Sequence, residues 1–350
     1  MTLRITKEVR IGSLKIGGGN PVWVQSMCNT NTRDVAATVA QIQKLEEAGC
    51  QIVRVSVLDS ACATALKDIK SRIHIPLVAD IHFRADLALS ALYAGVDKLR
   101  INPGNIGNAA KIRRVSDAAR ERNIPIRVGV NSGSLRKDLL ARYGGPTAEA
   151  LVTGVLEDVA VLERCGFENI VLSVKSTDIQ VNIEANRILA EKLPYPIHLG
   201  LTESGIPEYG IIKSAAGLSP LLMEGIGDTL RISLTGDPLP EVMAGFRLLR
   251  ACGRGEPEPE IISCPTCGRR AADVEGLARQ LEIAVRGIRK PLKIAIMGCM
   301  VNGPGEASQA DIGIAGGYKY GLLFKKGKSP RKVPSEELFS ALLAELEEFR

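Results

Sequence analysis

The sequence predicts an α/β protein: a (β/α)8 TIM barrel followed by a small α+β domain. Short β-branched runs recur along the chain, each followed by a stretch of helical periodicity, and eight such units fill about the first 250 residues. Composition then breaks at GRGEPEPE, residues 253–260, where Gly, Pro and Glu replace the periodic pattern. The expected organisation is a barrel over residues 1–252, a linker over 253–263 and a second domain over 264–350.

The expected strands are residues 22–27, 52–57, 76–81, 97–102, 126–131, 169–174, 197–201 and 229–234. Amphipathic stretches such as DVAATVAQIQKLEEAG (34–49) and DLALSALYAG (86–95) separate them, each with an acidic start and a closing glycine. A doubly wound open sheet is the competing arrangement. Beyond the linker come a helix from Val274, the strand-like runs LKIAIMG, DIGIAG and YGLLFKKG, and a final helix from Ser335.

With 45% hydrophobic and 24% charged residues, the chain reads as globular rather than disordered. No window reaches the roughly 18 apolar residues of a membrane span, and the N-terminus lacks the apolar core of a secretory signal. A cytoplasmic, membrane-free protein is therefore expected. Eight cysteines suit a reducing compartment; Cys50, Cys62, Cys165 and Cys252 read as small buried side chains. Aromatic content is 4%, and no basic stripe interleaves with aromatics, so nucleic acid is not an expected ligand. The net charge of +6 is concentrated in KKGKSPRK, residues 325–332, which reads as a solvated loop or a docking patch for an acidic partner.

Barrel strands are ordinarily apolar, yet four carry an arginine: Arg54, Arg100, Arg127 and Arg231. Strand alternation puts Arg54 on the face of Ser56, Arg100 with Asn102, Arg127 with Gly129 and Asn131, and Arg231 with Ser233. Lys175 closes the sixth strand in the same style. Only Asp80 and Glu203 stand at neighbouring strand ends to neutralise them, so an anionic ligand is expected. Two phosphates, or a diphosphate, suit so many cations, and the loop NPGNIGN offers further backbone N–H groups. His82 and His198 carry no clear role.

Cys264 and Cys267 form a C-x2-C pair; after 31 intervening residues comes Cys299, and after six more Glu306. This pattern leaves open a redox disulfide, a zinc site, a three-cysteine [4Fe-4S] cluster with a displaceable oxygen ligand, or no metal.

The segment GCMVNGPGEASQADIGIAGG, with VQSMCNTNTRD, LRINPGN and VGVNSGSL, resembles the 4-hydroxy-3-methylbut-2-enyl diphosphate synthase family over essentially the whole chain, in its bacterial two-domain form. Cys28 departs from the family, where threonine is expected, and adds an oxidisable thiol near the barrel mouth. The resemblance implies reductive ring opening and dehydration of 2-C-methyl-D-erythritol 2,4-cyclodiphosphate, with two electrons passed singly through a [4Fe-4S] cluster. By the same resemblance Cys264, Cys267 and Cys299 ligate three irons, and Glu306 ligates the fourth and gives way to substrate. Arg54, Arg100, Arg127, Lys175 and Arg231 would hold the phosphates, with Asn131 and Ser233 as neutral donors. Glu203 would give the proton to the departing hydroxyl, and Asp80 would help bind substrate hydroxyls.

Flavodoxin or ferredoxin is the implied electron donor, for which the run from Lys325 to Lys332 is a candidate dock. The expected linker is too short to fold the second domain over its own barrel mouth. The resemblance answers with a head-to-tail homodimer in which each cluster domain caps the partner's barrel. The rival readings are a redox-neutral phosphate-handling barrel with structural zinc, and a zinc-stapled binding module.

Overall fold

A hairpin that strand periodicity did not announce prepares the chain's entry into the barrel: β1 (Val9–Ile11) pairs antiparallel with β2 (Leu14–Ile16). The molecule is described by a computed structural model covering residues 3–301, 305, 307 and 309–349. It divides into two units, Met1–Gly255 and Glu256–Arg350.

Eight parallel strands form the first unit's barrel: β3 (Trp23–Met27), β4 (Ile52–Ser56), β5 (Leu77–Asp80), β6 (Lys98–Ile101), β7 (Ile126–Asn131), β8 (Ile170–Lys175), β9 (His198–Leu199) and β10 (Thr229–Leu230). Neighbours run in the order β8, β7, β6, β5, β4, β3, β10, β9, and a parallel bridge between Leu172 and Ile197 joins the ends. The last two strands are shorter than expected. Beyond them the chain turns away to bond loop groups, Leu234 N–H to Glu241 Oε1 and Thr235 N–H to the Gly205 carbonyl.

Alternation divides each strand between two environments. Outward residues such as Val53, Val55, Leu99, Ile101, Val128, Leu172 and Leu199 are buried against the surrounding helices. With Met27 at the end of β3 an exception, inward apolar residues are concentrated at the strands' N-terminal ends. There Ile52, Val78 and Val171 pack with Val9, Ile11 and Ile16, so the hairpin plugs the barrel floor. Above this layer the interior turns polar.

In the second unit, β11 (Glu260–Ser263), β12 (Lys293–Met297) and β13 (Ile312–Ala315) run parallel, and β14 (Tyr320–Lys325) and β15 (Arg331–Pro334) complete a five-stranded sheet antiparallel to them. Helices Val274–Ala284 and Leu338–Leu346 cover one face through Leu281, Ile294, Ile314 and Leu342. Two expectations are corrected here. The linker is shorter than 253–263, because residues 260–263 bond to β12. The basic run is not one open loop either, since it contains the end of β14 and the start of β15. Lys325 pairs with Glu345 at 3.0 Å and Glu348 at 2.7 Å, and the exposed Lys326 and Arg331 pair with Asp311 at 3.5 Å and Glu345 at 3.7 Å; Lys328 and Lys332 are the run's other exposed lysines.

The plug generates a stability prediction. Ile11→Ala leaves a cavity in a fully buried layer and should cost about 2–4 kcal/mol, seen as a lower denaturant midpoint; an unchanged midpoint would show that the barrel floor closes without the hairpin.

Candidate active site

The inner wall above the plug is built from β3 to β10. Strand register sets Met27 beside Arg54, Ser56 beside Asp80, Asp80 beside Arg100, Arg100 beside Arg127, and Asn131 beside Lys175. Every sequence-predicted arginine thus points inward, not into the helix layer. Arg100, Arg127 and Lys175 are buried, and Arg54 and Arg231 nearly so. Lys98, which the sequence reading passed over, joins them on β6 with no exposed surface. It stands two residues before Arg100 on the same face, the spacing that would have revealed it.

Two carboxylates partner these cations among the described residues. Asp80 lies 3.1 Å from Arg100, 3.7 Å from Arg54 and 3.5 Å from His82. Despite its burial, the Arg54 charge and the His82 hydrogen bond hold the Asp80 carboxyl well below its usual range. Asp80 thus organises the neighbouring cations and stays ionised, in the form that accepts hydrogen bonds. The second carboxylate is Glu241, on helix Leu239–Ala251. It accepts two bonds from Arg231, at 3.0 and 2.9 Å, and others from Ser26 and the Leu234 N–H. No strand pattern pointed to it.

The remaining charge is unbalanced. Burial and the neighbouring cations push Lys98, Arg127 and Lys175 well below their ordinary values. Arg54 is lowered to about 10, chiefly by burial, with Asp80 opposing. Arg127 Nε and Nη1 and Arg100 Nε are buried without a hydrogen-bond partner among the described residues. Arg54 directs Nε and Nη2 at the Met27 sulfur, at 3.1 and 2.7 Å, and thioether sulfur is a weak acceptor. Strong donors without strong acceptors are what an anion site needs. Gly200 makes room for one of them, because a Cβ there would collide with the Lys175 ammonium.

Loops at the strands' C-terminal ends complete the rim. Glu203, after β9, is exposed and held at φ +54°, a left-handed conformation that costs a glutamate of order 1–3 kcal/mol and clusters at functional sites. A Cβ on Gly133, in the loop after β7, would lie 3.9 Å from Glu203 Oε1. Asn131 and Ser233 are partly exposed. His82 approaches Arg100 to 2.9 Å. His198 is fully buried, its Nδ1 2.8 Å from Thr229 Oγ1.

The NPGNIGN loop forms a helical turn, Pro103–Ile106, and two of its N–H groups are already engaged, Gly104 with Asp158 Oδ1 and Asn105 with the Asn102 carbonyl. Cys28 is also corrected. It is buried in the helix layer, and burial pushes its thiol up to about 12, so it is not the oxidisable group expected at the mouth.

In the second unit, Cys264 follows β11 and Cys299 follows β12, so two thiols leave the same end of adjacent parallel strands. The Cys264 sulfur accepts the Gly298 N–H at 3.2 Å. Cys267 is exposed in the intervening loop, which is tied to the Cys299 segment by the Ala271 N–H on the Gly298 carbonyl. The eight cysteines, all among the described residues, form no disulfide. No three His, Cys, Asp or Glu side chains among the described residues close to metal-holding distance. Glu306 lies outside the described residues. Two soft donors at one sheet end, one already receiving a backbone N–H, with a third in the loop between them, nonetheless form a set whose chemistry fits an iron–sulfur group.

Fold and wall together define an anion-binding (β/α)8-barrel enzyme with a thiol-bearing second domain. Residues 6–246 match the GcpE TIM-barrel domain and residues 260–348 the GcpE protein C-terminal domain, so the chain belongs to the GcpE family. A relative from Caldanaerobacter subterraneus subsp. tengcongensis is 54% identical over 98% of this chain and 97% of its own length. One from Geobacter sulfurreducens is 52% identical over 98% and 97%. Both are named 4-hydroxy-3-methylbut-2-en-1-yl diphosphate synthase (flavodoxin). Among solved structures, a Yersinia pestis dihydropteroate synthase (TM-score 0.50, 14% identity, 70% of this chain and 98% of that one) shares the barrel fold. So does a Thermotoga maritima phospho-2-dehydro-3-deoxyheptonate aldolase (0.51, 13%, 72% and 76%).

Asp158 yields a pH prediction. Burial raises its carboxyl to about 6, above the unfolded value, so its ionisation costs stability as pH rises from about 4 through 6. Asp158→Asn keeps an acceptor for Gly104 and should raise stability by about 2 kcal/mol at pH 8, with no gain at about pH 4. Equal effects at both pH values would show that Asp158 is not buried as an acid.

Proposed function

We propose that this protein carries out the two-electron reductive ring opening and dehydration of 2-C-methyl-D-erythritol 2,4-cyclodiphosphate to 4-hydroxy-3-methylbut-2-enyl diphosphate. The observation that carries the reading is the excess of buried cations over carboxylates on the barrel's inner wall, which matches the doubly phosphorylated substrate implied by the relatives' name. In the reaction two electrons enter, the ring C–O bond to phosphate breaks, and a hydroxyl leaves with a proton as water.

Arg54, Arg100, Arg127, Lys175 and Arg231 hold the phosphates, and Asn131 and Ser233 contribute neutral donors. Asp80 and Glu241 keep three of the guanidinium groups in position. Glu203, strained at the rim, gives the proton to the departing hydroxyl. A [4Fe-4S] cluster held by Cys264, Cys267 and Cys299, with Glu306 as the replaceable fourth ligand, would supply single electrons and an electrophilic iron. The donor is a flavodoxin, as in the relatives' names, or a ferredoxin. The exposed Lys326, Lys328 and Lys332 are the part of the basic run open to such an acidic protein.

The working unit is a head-to-tail homodimer in which each cluster domain caps the other copy's barrel. Two observations support it. Leu58, Phe83 and Ile206, in loops at the C-terminal ends of the strands, and Tyr209, in the first turn of helix Pro207–Met223, are large apolar side chains left exposed. Helix Leu239–Ala251 returns the chain to the opposite end of the barrel, and residues 253–259, before β11, span at most about 25 Å when extended.

Anaerobic preparation should give a brown protein with about four irons and four sulfides per chain, lost in Cys299→Ser. Colourless protein carrying stoichiometric zinc would overturn the reading. Glu203→Gln should lower kcat by about 100-fold or more with little change in KM. Mixing the two inactive variants as heterodimers should restore turnover, because one barrel and the facing cluster domain are then both intact; no recovery would favour closure within one chain.

A further inference from the structure

The mechanism above leaves Lys98 unused. It lies on β6, one inward position below Arg100, and is wholly buried. Its Nζ donates to Gln25 Oε1 at 3.2 Å, a neutral partner that leaves the charge unopposed. Two cations face it, Arg54 from β4 and Arg127 from β7, and His198 from β9 lies beside it. Asp80, on β5, is taken up by Arg54, Arg100 and His82, and Arg231, on β10, is bound to Glu241. Below lies the apolar plug of Val9, Ile11 and Ile16. No carboxylate among the described residues lies within ion-pair distance of the amine.

A lysine so placed is costly as an ammonium while the barrel holds no anion. Burial and the charges of Arg127 and Arg54 accordingly hold its pKa well below the usual lysine value. An anion bound above it reverses the balance, since negative charge near a buried amine favours protonation.

We propose that Lys98 is a positioning residue of the diphosphate site, a proton acceptor beneath the guanidinium layer that becomes an ammonium when the anionic substrate binds. This rests on the substrate reading above. The proton is drawn from solvent and ends on Nζ, so the site gains one positive charge as the phosphates arrive. Lys98 touches neither phosphate; it acts through Arg100 and Arg127, which stand between it and the mouth.

The test is calorimetric titration of the holoenzyme with inorganic pyrophosphate, at about pH 8 where an unshifted lysine would already be charged, in two buffers of different ionisation enthalpy. Pyrophosphate can itself give up a proton on binding, so the quantity read is a difference: the wild type should take up close to one proton more per bound anion than a variant without the amine. Lys98→Met should abolish that uptake and weaken binding about tenfold, while its melting temperature without ligand stays level or rises, because an unpaired buried amine has been removed. Lys98→Gln, which keeps a polar end for Gln25, should show the same loss of uptake and serves if the methionine variant folds poorly. Proton exchange on binding that is the same in the wild type and in both variants would overturn the proposal and leave the substrate reading intact. Failure of pyrophosphate to bind the wild type at all would overturn both.

Discussion

The structure depends on one electrostatic constraint: positive charge is buried inside a closed barrel with too few carboxylates to neutralise it. A stability-optimised barrel would fill those inward positions with branched apolar side chains. This one keeps apolar packing for the helix layer outside and for a single inner layer at the floor, where the N-terminal hairpin closes the strands off from solvent. Everything between floor and mouth serves the cations. Gly200 clears space for Lys175, Met27 lends a weak acceptor to Arg54, and Asp80 and Glu241 fix the remaining guanidinium groups without cancelling the net charge.

That arrangement explains why the catalytic end is poised rather than saturated. The unpartnered nitrogens of Arg100 and Arg127 represent hydrogen bonds withheld from the protein and available to phosphate oxygens. The second unit follows a different logic. Its sheet is covered on one face by two helices, and its chemistry is confined to the end from which Cys264 and Cys299 emerge. An anion-binding wall and a soft-ligand edge are thus kept on separate units of one chain.

Much of this was legible in the residues. All eight barrel strands were, because β-branched runs alternating with helical periods leave few other folds, and the inward direction of the arginines followed from strand alternation alone. The hairpin was not, since strands of three residues carry too little periodicity. β11 was hidden by the Pro and Glu that precede it, and only its register against β12 makes it a strand. Glu241 reaches the wall from a helix, so no strand pattern could reveal it, whereas Lys98 was visible two residues before Arg100 and was passed over. Cys28 and Lys325 were misread for a shared reason: sequence gives chemical type but not burial or pairing, and these two side chains are respectively buried and ion-paired.

The measurement that tests the central claim most directly is a crystal structure of the anaerobically prepared protein with the cyclic diphosphate bound. The account predicts both phosphate groups within hydrogen-bonding distance of Arg54, Arg100, Arg127, Lys175 and Arg231, with the unpartnered arginine nitrogens now engaged. Phosphate density elsewhere, with those nitrogens still unpartnered, would contradict it.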